Sequence, residues 1–132
     1  MHADRFFDPD PTVRRHARAL YEETARLPII SPHGHVDPRI LADDSPFPEP
    51  TSLVLRPDHY ILRMLYSQGV PLESLGVPRR DGHPVDTDPR AAWGILGDRY
   101  YLFRGTPTAI WLDYQLAEVF GIAEPLTAGS AM

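Results

Sequence analysis

Residues 27–39 read LPIISPHGHVDPR, a short apolar run that ends in two histidines separated by one glycine. Pro28 to Ser31 is too short for a helix, and its two isoleucines suit a pleated, buried surface. The sequence therefore predicts a buried strand with His33 at or just past its C-terminal end. On extended backbone, residues i and i+2 share a face, so His33 and His35 can converge on one divalent ion while Gly34 lets the chain pass close beneath it. Two imidazoles suit zinc but do not complete a site, because a structural zinc takes four protein ligands and a catalytic one usually three. The spacing alone leaves a second reading open, a pair of solvent-facing histidines in a turn. Asp37, just before Pro38, reads as a turn or capping residue rather than a third ligand.

Composition narrows the field. A chain of 132 residues is long enough to bury one core. Its net charge of −5 argues against a nucleic-acid surface. The absence of cysteine excludes disulfides, thiolate metal sites and cysteine nucleophiles. No apolar run reaches the roughly 20 residues that span a bilayer, and the first ten residues, MHADRFFDPD, carry no export signal, so no membrane partner and a cytoplasmic location are expected. The 15 prolines are dispersed, several of them where a first helical turn begins.

Outward from the histidines, Asp10-Pro11 opens an amphipathic helix whose stripe is Val13, Ala17, Leu20 and Tyr21, ending before Pro28. From Asp37 to Pro57 the sequence predicts irregular connection with one short helical turn at Arg39 to Ala42. Asp58 to Gln68 is the next helix, with Ile61, Leu62, Leu65 and Tyr66 as its stripe and Gly69 at its end, and Pro71 to Leu75 adds a turn. Arg79 to Thr87 reads as an exposed polar loop. Asp88-Pro89 and Thr106-Pro107 each supply a cap followed by proline at the first helical position, with Gly105 and Gly121 closing the two segments. Two antiparallel helices joined by a tight turn are expected, with more large apolar side chains than such a pair shelters. One strand among five helices leaves its backbone groups unpaired, so it implies partners.

Asp58-His59-Tyr60 is the second constellation. A helix start favours an anion, and the imidazole and phenol offer hydrogen bonds to a carboxylate-bearing molecule. On the residues alone the ordinary reading is preferred: Asp58 as cap, His59 exposed, Tyr60 in the core. Arg63, one turn on, pairs with Asp58 or meets an acid group, and a surface ion pair is its usual fate. His16 and His83 read as solvated. No Gly-rich phosphate loop or GxSxG elbow is present.

Three stretches in order, LPIISPHGHVDPR, RPDHYILRMLYSQGV and DPRAAWGILGDRYYLFRGTPTAIWLDYQLAEVFGI, resemble the N-terminal part of the uronate isomerase (glucuronate isomerase) family of the amidohydrolase superfamily, over about Ala19 to Ile122. The resemblance implies an α/β fold, the N-terminal portion of a distorted (β/α)8 TIM barrel that is mostly α-helical here. Residues 1–41 then carry the N-terminal helix and first barrel strand with the HxH motif, and residues 42–132 the helical insertion region. A strand ending in same-face histidines is how metal sites are built at the C-terminal mouth of such a barrel. The resemblance makes His33 and His35 ligands of a divalent metal, zinc being expected. It makes Tyr60 and His59 catalytic and substrate-binding residues, and Arg63 a further substrate-binding residue.

The implied reaction is an aldose to ketose isomerisation of hexuronates, D-glucuronate to D-fructuronate and D-galacturonate to D-tagaturonate. A homo-oligomer is expected of a full-length relative. A complete barrel takes about 250 residues, so this chain by itself is expected to be an incomplete, inactive fragment. A small non-catalytic helical metal-binding or interaction module, and a related metal-dependent amidohydrolase that cleaves instead, are the alternatives.

Overall fold

The computed structural model describes residues 2–31, 33–85 and 88–131. They form two compact units, Met1–His33 and Gly34–Met132. In the first, helix α1 spans Pro11–Thr24, its start fixed by Asp10, whose carboxylate accepts from the amides of Thr12 and Val13. The preceding turn folds back on it. Phe7 meets Tyr21 edge to face at 5.9 Å, and Arg18 pairs with Asp4. Nothing in α1 is buried, so the stripe expected to face a core stays open, with Leu20 72% exposed.

The predicted strand is absent. Residues 28–31 have no regular structure, and Ile29 and Ile30 are 92% and 91% exposed. The reason is the one that made a lone strand suspect: no strand lies among the described residues to satisfy its amides and carbonyls.

The second unit holds the core. Helix α2, Arg39–Ala42, falls where the sequence placed a short turn, and the Asp37 carboxylate accepts from the Arg39 amide as a capping residue does. The region read as irregular after it contains a π-helical turn, Thr51–Leu55, which buries Thr51 and Leu55. Glu49 caps this turn, accepting from the Thr51 amide at 2.6 Å and the Ser52 amide at 3.0 Å. The buried Thr51 hydroxyl donates to the Pro89 carbonyl at 2.6 Å, which ties the turn to the start of the next long helix. A five-residue π turn has no periodicity for a sequence pattern to reveal.

Helix α3 spans His59–Ser67, with Asp58 as cap, and Gly69 (φ +81°) lets the chain leave it in a left-handed turn. Ile61 and Leu65 are inaccessible to solvent, whereas Tyr66, read as part of the same stripe, is 61% exposed. A 3₁₀ turn comes next at Leu72–Leu75. Helix α4, Pro89–Asp98, packs on the Thr51–Leu55 and Leu72–Leu75 turns and brings Leu96 into the core. A 3₁₀ turn, Tyr100–Phe103, leads to helix α5, Pro107–Tyr114, and α5 runs on into a π turn, Gln115–Val119. Both α4 and α5 begin as expected, with an Asp or Thr cap and proline in the first turn.

Excess apolar surface was expected on the last two helices. Most of it lies on α5 and its extension to Ile122, where Trp111, Tyr114, Val119, Phe120 and Ile122 remain open, with Tyr101 open in the 3₁₀ turn after α4. Part of the cover over the core comes from the tail, which its composition left featureless: Leu126 is buried and Ala131 packs on the core. A β-carbon on Gly97 would lie 2.6 Å from that of Ala131 and 2.7 Å from the Thr127 carbonyl oxygen, so only glycine permits this approach. Gly97→Ala is expected to lower stability by about 1–3 kcal/mol, measured by urea unfolding.

The half-buried Tyr100 hydroxyl donates to the Asp113 carboxylate at 2.8 Å and lies 3.1 Å from the Ala109 carbonyl. Burial, and then Asp113, push its ionisation above the ordinary phenol range. Unfolded, it ionises near its usual value of about 10, so the folded state holds the proton longer. The resulting stabilisation is complete below about pH 10 and is lost as pH rises from there toward the folded value. Tyr100→Phe is expected to flatten that decline in a series of unfolding curves between about pH 9 and 11.

Candidate functional site

The site is built on the start of α3. Asp58 sits in extended backbone at the N-cap, and its Oδ1 accepts from the amides of Tyr60 (2.8 Å) and Ile61 (3.3 Å). Its other oxygen, Oδ2, lies 3.6 Å from Nδ1 of His35, a separation in the ion-pair range and too long for a hydrogen bond. The two side chains keep only 15% and 24% of their surface, so this attraction is less screened than on open surface.

Around that contact three rings gather. His35 lies 4.8 Å from His59 and stacks on Tyr60 at 5.5 Å with 24° between planes, and His59 and Tyr60 are 4.3 Å apart. Burial of Ile61 and Leu65 fixes which side of α3 faces the core. Tyr60 is then 57% exposed, not packed inside as the residues alone suggested. His59 is exposed, as they did suggest. The result is an exposed phenol and imidazole, Tyr60 and His59, gathered with the part-buried imidazole of His35, able to donate and accept hydrogen bonds and to move protons.

Arg63 is exposed and lines, with Tyr60 and Met64 of α3 and Phe103 and Thr106 before α5, an open depression of about 620 Å³. The carboxylate of Asp58 turns to His35 rather than to Arg63. His16 and His83 are exposed, as read from the sequence.

The HxH pair straddles the two units. His33 ends the first, exposed, its carbonyl accepting from the Ser31 hydroxyl at 3.1 Å, while His35 belongs to the second. Among the described residues no group of three or more His, Asp or Glu side chains gathers into a metal site. The donor set is two imidazoles, which suit a divalent ion as part of a coordination shell and not as a whole one. The carboxylate at Nδ1 stands where an imidazole that ligates through Nε2 takes its outer partner. Of the pair, His35 is the one in the unit that carries Asp58, His59 and Tyr60.

What the sequence did not reveal is the junction of HGH with DHY. The stretch between them is dense in proline, aspartate and serine and gives no measure of the distance it spans. Only the cap at Asp58 was legible.

The family model for glucuronate isomerase matches residues 5–132. A uronate isomerase of Rhizorhabdus wittichii is 58% identical over 92% of this chain and 25% of its own length. One of Mesorhizobium japonicum is 56% identical over 97% of this chain and 27% of its own. The crystal structure of glucuronate isomerase from Caulobacter crescentus superposes with a TM-score of 0.87 at 52% identity, covering 99% of this chain and 27% of that one. The chain thus spans about a quarter of the length of the curated relatives it matches.

The outward placement of Tyr60 has a direct test in stability. Tyr60→Ala is expected to change unfolding free energy by less than about 0.5 kcal/mol. Ile61→Ala, one residue on and inaccessible to solvent, is expected to cost about 2–5 kcal/mol in the same urea titration.

Proposed function

This chain belongs to the glucuronate isomerase family, and on that premise we propose that its HGH and DHY residues serve an aldose to ketose isomerisation of hexuronates. The observation that supports the reading is the gathering of His35 with the exposed His59 and Tyr60 beside Asp58. The substrates are D-glucuronate and D-galacturonate, the products D-fructuronate and D-tagaturonate, and the setting the cytoplasm. No helix among the described residues is long and apolar enough to cross a membrane.

The reaction moves a proton from C2 to C1 through an enediol-like intermediate while a hydroxyl proton passes from O2 to O1. It needs a base, a group that handles the hydroxyl protons, and stabilisation of developing negative charge on oxygen. Tyr60, with its phenol exposed, donates to or takes a proton from a substrate oxygen. His59, beside it, holds a substrate hydroxyl by hydrogen bonding. Arg63, on the same helix and open to solvent, binds an acid group of the sugar.

His33 and His35 are two of the ligands that hold a divalent metal, zinc by their chemistry, and such an ion polarises and orients substrate oxygens when bound. Ile29–Ser31 are the first strand of a (β/α)8 barrel, ordered when neighbouring strands are present to pair with it. The two highly exposed isoleucines and their β-branched character support this.

Because two imidazoles fall short of a catalytic ligand set, the 132-residue chain by itself is expected to form no ketose from either uronate. Grafted in place of the matching quarter of the Rhizorhabdus wittichii relative, it is expected to support isomerisation. Tyr60→Phe in that chimera is expected to lower kcat by about 100-fold. Unimpaired turnover in the Phe variant, followed by a coupled assay for the ketose, counts against the role given to Tyr60.

A further inference from the structure

We propose that Asp58 is a positioning residue that sets the tautomer of His35. Its two oxygens have separate tasks. Oδ1, held by the amides of Tyr60 and Ile61, fixes the plane of the carboxylate, and Oδ2 is thereby presented to Nδ1 of His35 at 3.6 Å.

The capping task alone does not call for aspartate, since serine or asparagine serves a helix start equally well. The second task does. A fixed negative charge facing Nδ1 favours an N–H dipole there and repels a lone pair, and the small exposure of both side chains keeps water from screening the preference. Neutral His35 therefore carries its hydrogen on Nδ1 and its lone pair on Nε2. The contacts with Tyr60 and His59 hold the plane of the ring beside the carboxylate.

On the proposed reading of His35 as a metal ligand, on which this consequence rests, Asp58 selects Nε2 as the ligating atom. It also couples the geometry of the histidine to the start of the helix that carries His59 and Tyr60.

The test uses the full 132-residue chain, ¹⁵N-labelled and treated with chelator, at about pH 8, where an ordinary histidine is neutral. Long-range ¹H–¹⁵N correlation of the His35 ring is expected to show the Nδ1–H form as the major tautomer. In Asp58→Ser the Nε2–H form is expected to become major while the amide shifts of α3 stay in place, which separates the effect from loss of the helix. Asp58→Asn, which keeps size and cap acceptor, is expected to shift the ratio the same way and decides the matter should the serine variant unfold. A wild-type chain in the Nε2–H form, or variants that keep the wild-type ratio in a folded chain, overturns the proposal. The spectrum involves neither metal nor uronate, so failure of the isomerase reading appears in the turnover assay and not here.

Discussion

One carboxylate joins the parts of this molecule that bear chemistry. Asp58 ends the extended connection, starts α3 by accepting two of its unsatisfied amides, and turns its remaining oxygen to an imidazole from a distant segment. The placement of His59 and Tyr60 derives from where α3 begins, and that of His35 from where the carboxylate points. The core then sets the rotation of the helix: with Ile61 and Leu65 buried, His59 and Tyr60 are left exposed at its start.

The core beneath is assembled from short pieces. Two π turns and two 3₁₀ turns alternate with α3, α4 and α5, and their buried residues, Leu55, Leu75 and Phe103 among them, complete what the helices begin. Such pieces are held by individual hydrogen bonds more than by propensity, as the Thr51 hydroxyl on the Pro89 carbonyl and the Tyr100 hydroxyl on Asp113 illustrate. Close approach does the same at Gly97, where the absence of a β-carbon lets the tail lie against α4.

Elsewhere the chain keeps apolar surface open. Ile29 and Ile30 lie in unstructured backbone, Leu20 and Tyr21 on a helix with nothing buried, and Trp111 and Phe120 along α5 and its extension. The chain spans about a quarter of the length of relatives that it matches almost end to end on its own side. A strand needs a neighbour before its amides and carbonyls are satisfied, and none lies among the described residues to take up the isoleucines of the LPIIS run.

By itself the sequence determined where the helices begin and where glycine turns the chain. Asp10, Asp58, Asp88 and Thr106 announce helix starts because a short oxygen-bearing side chain satisfies free amides, and proline after three of them is pre-set for the first turn. Gly69, Gly105 and Gly121 announce ends because each needs positive φ. The ordered HGH, DHY and RGTP stretches were enough to point to the family. Tertiary structure alone decided three things: that PIIS has no ladder to join here, that Tyr60 lies outside the core, and that HGH meets DHY through Asp58. Each depends on contacts between residues far apart in sequence, and neither periodicity nor capping chemistry encodes the path of the proline-rich stretch between them.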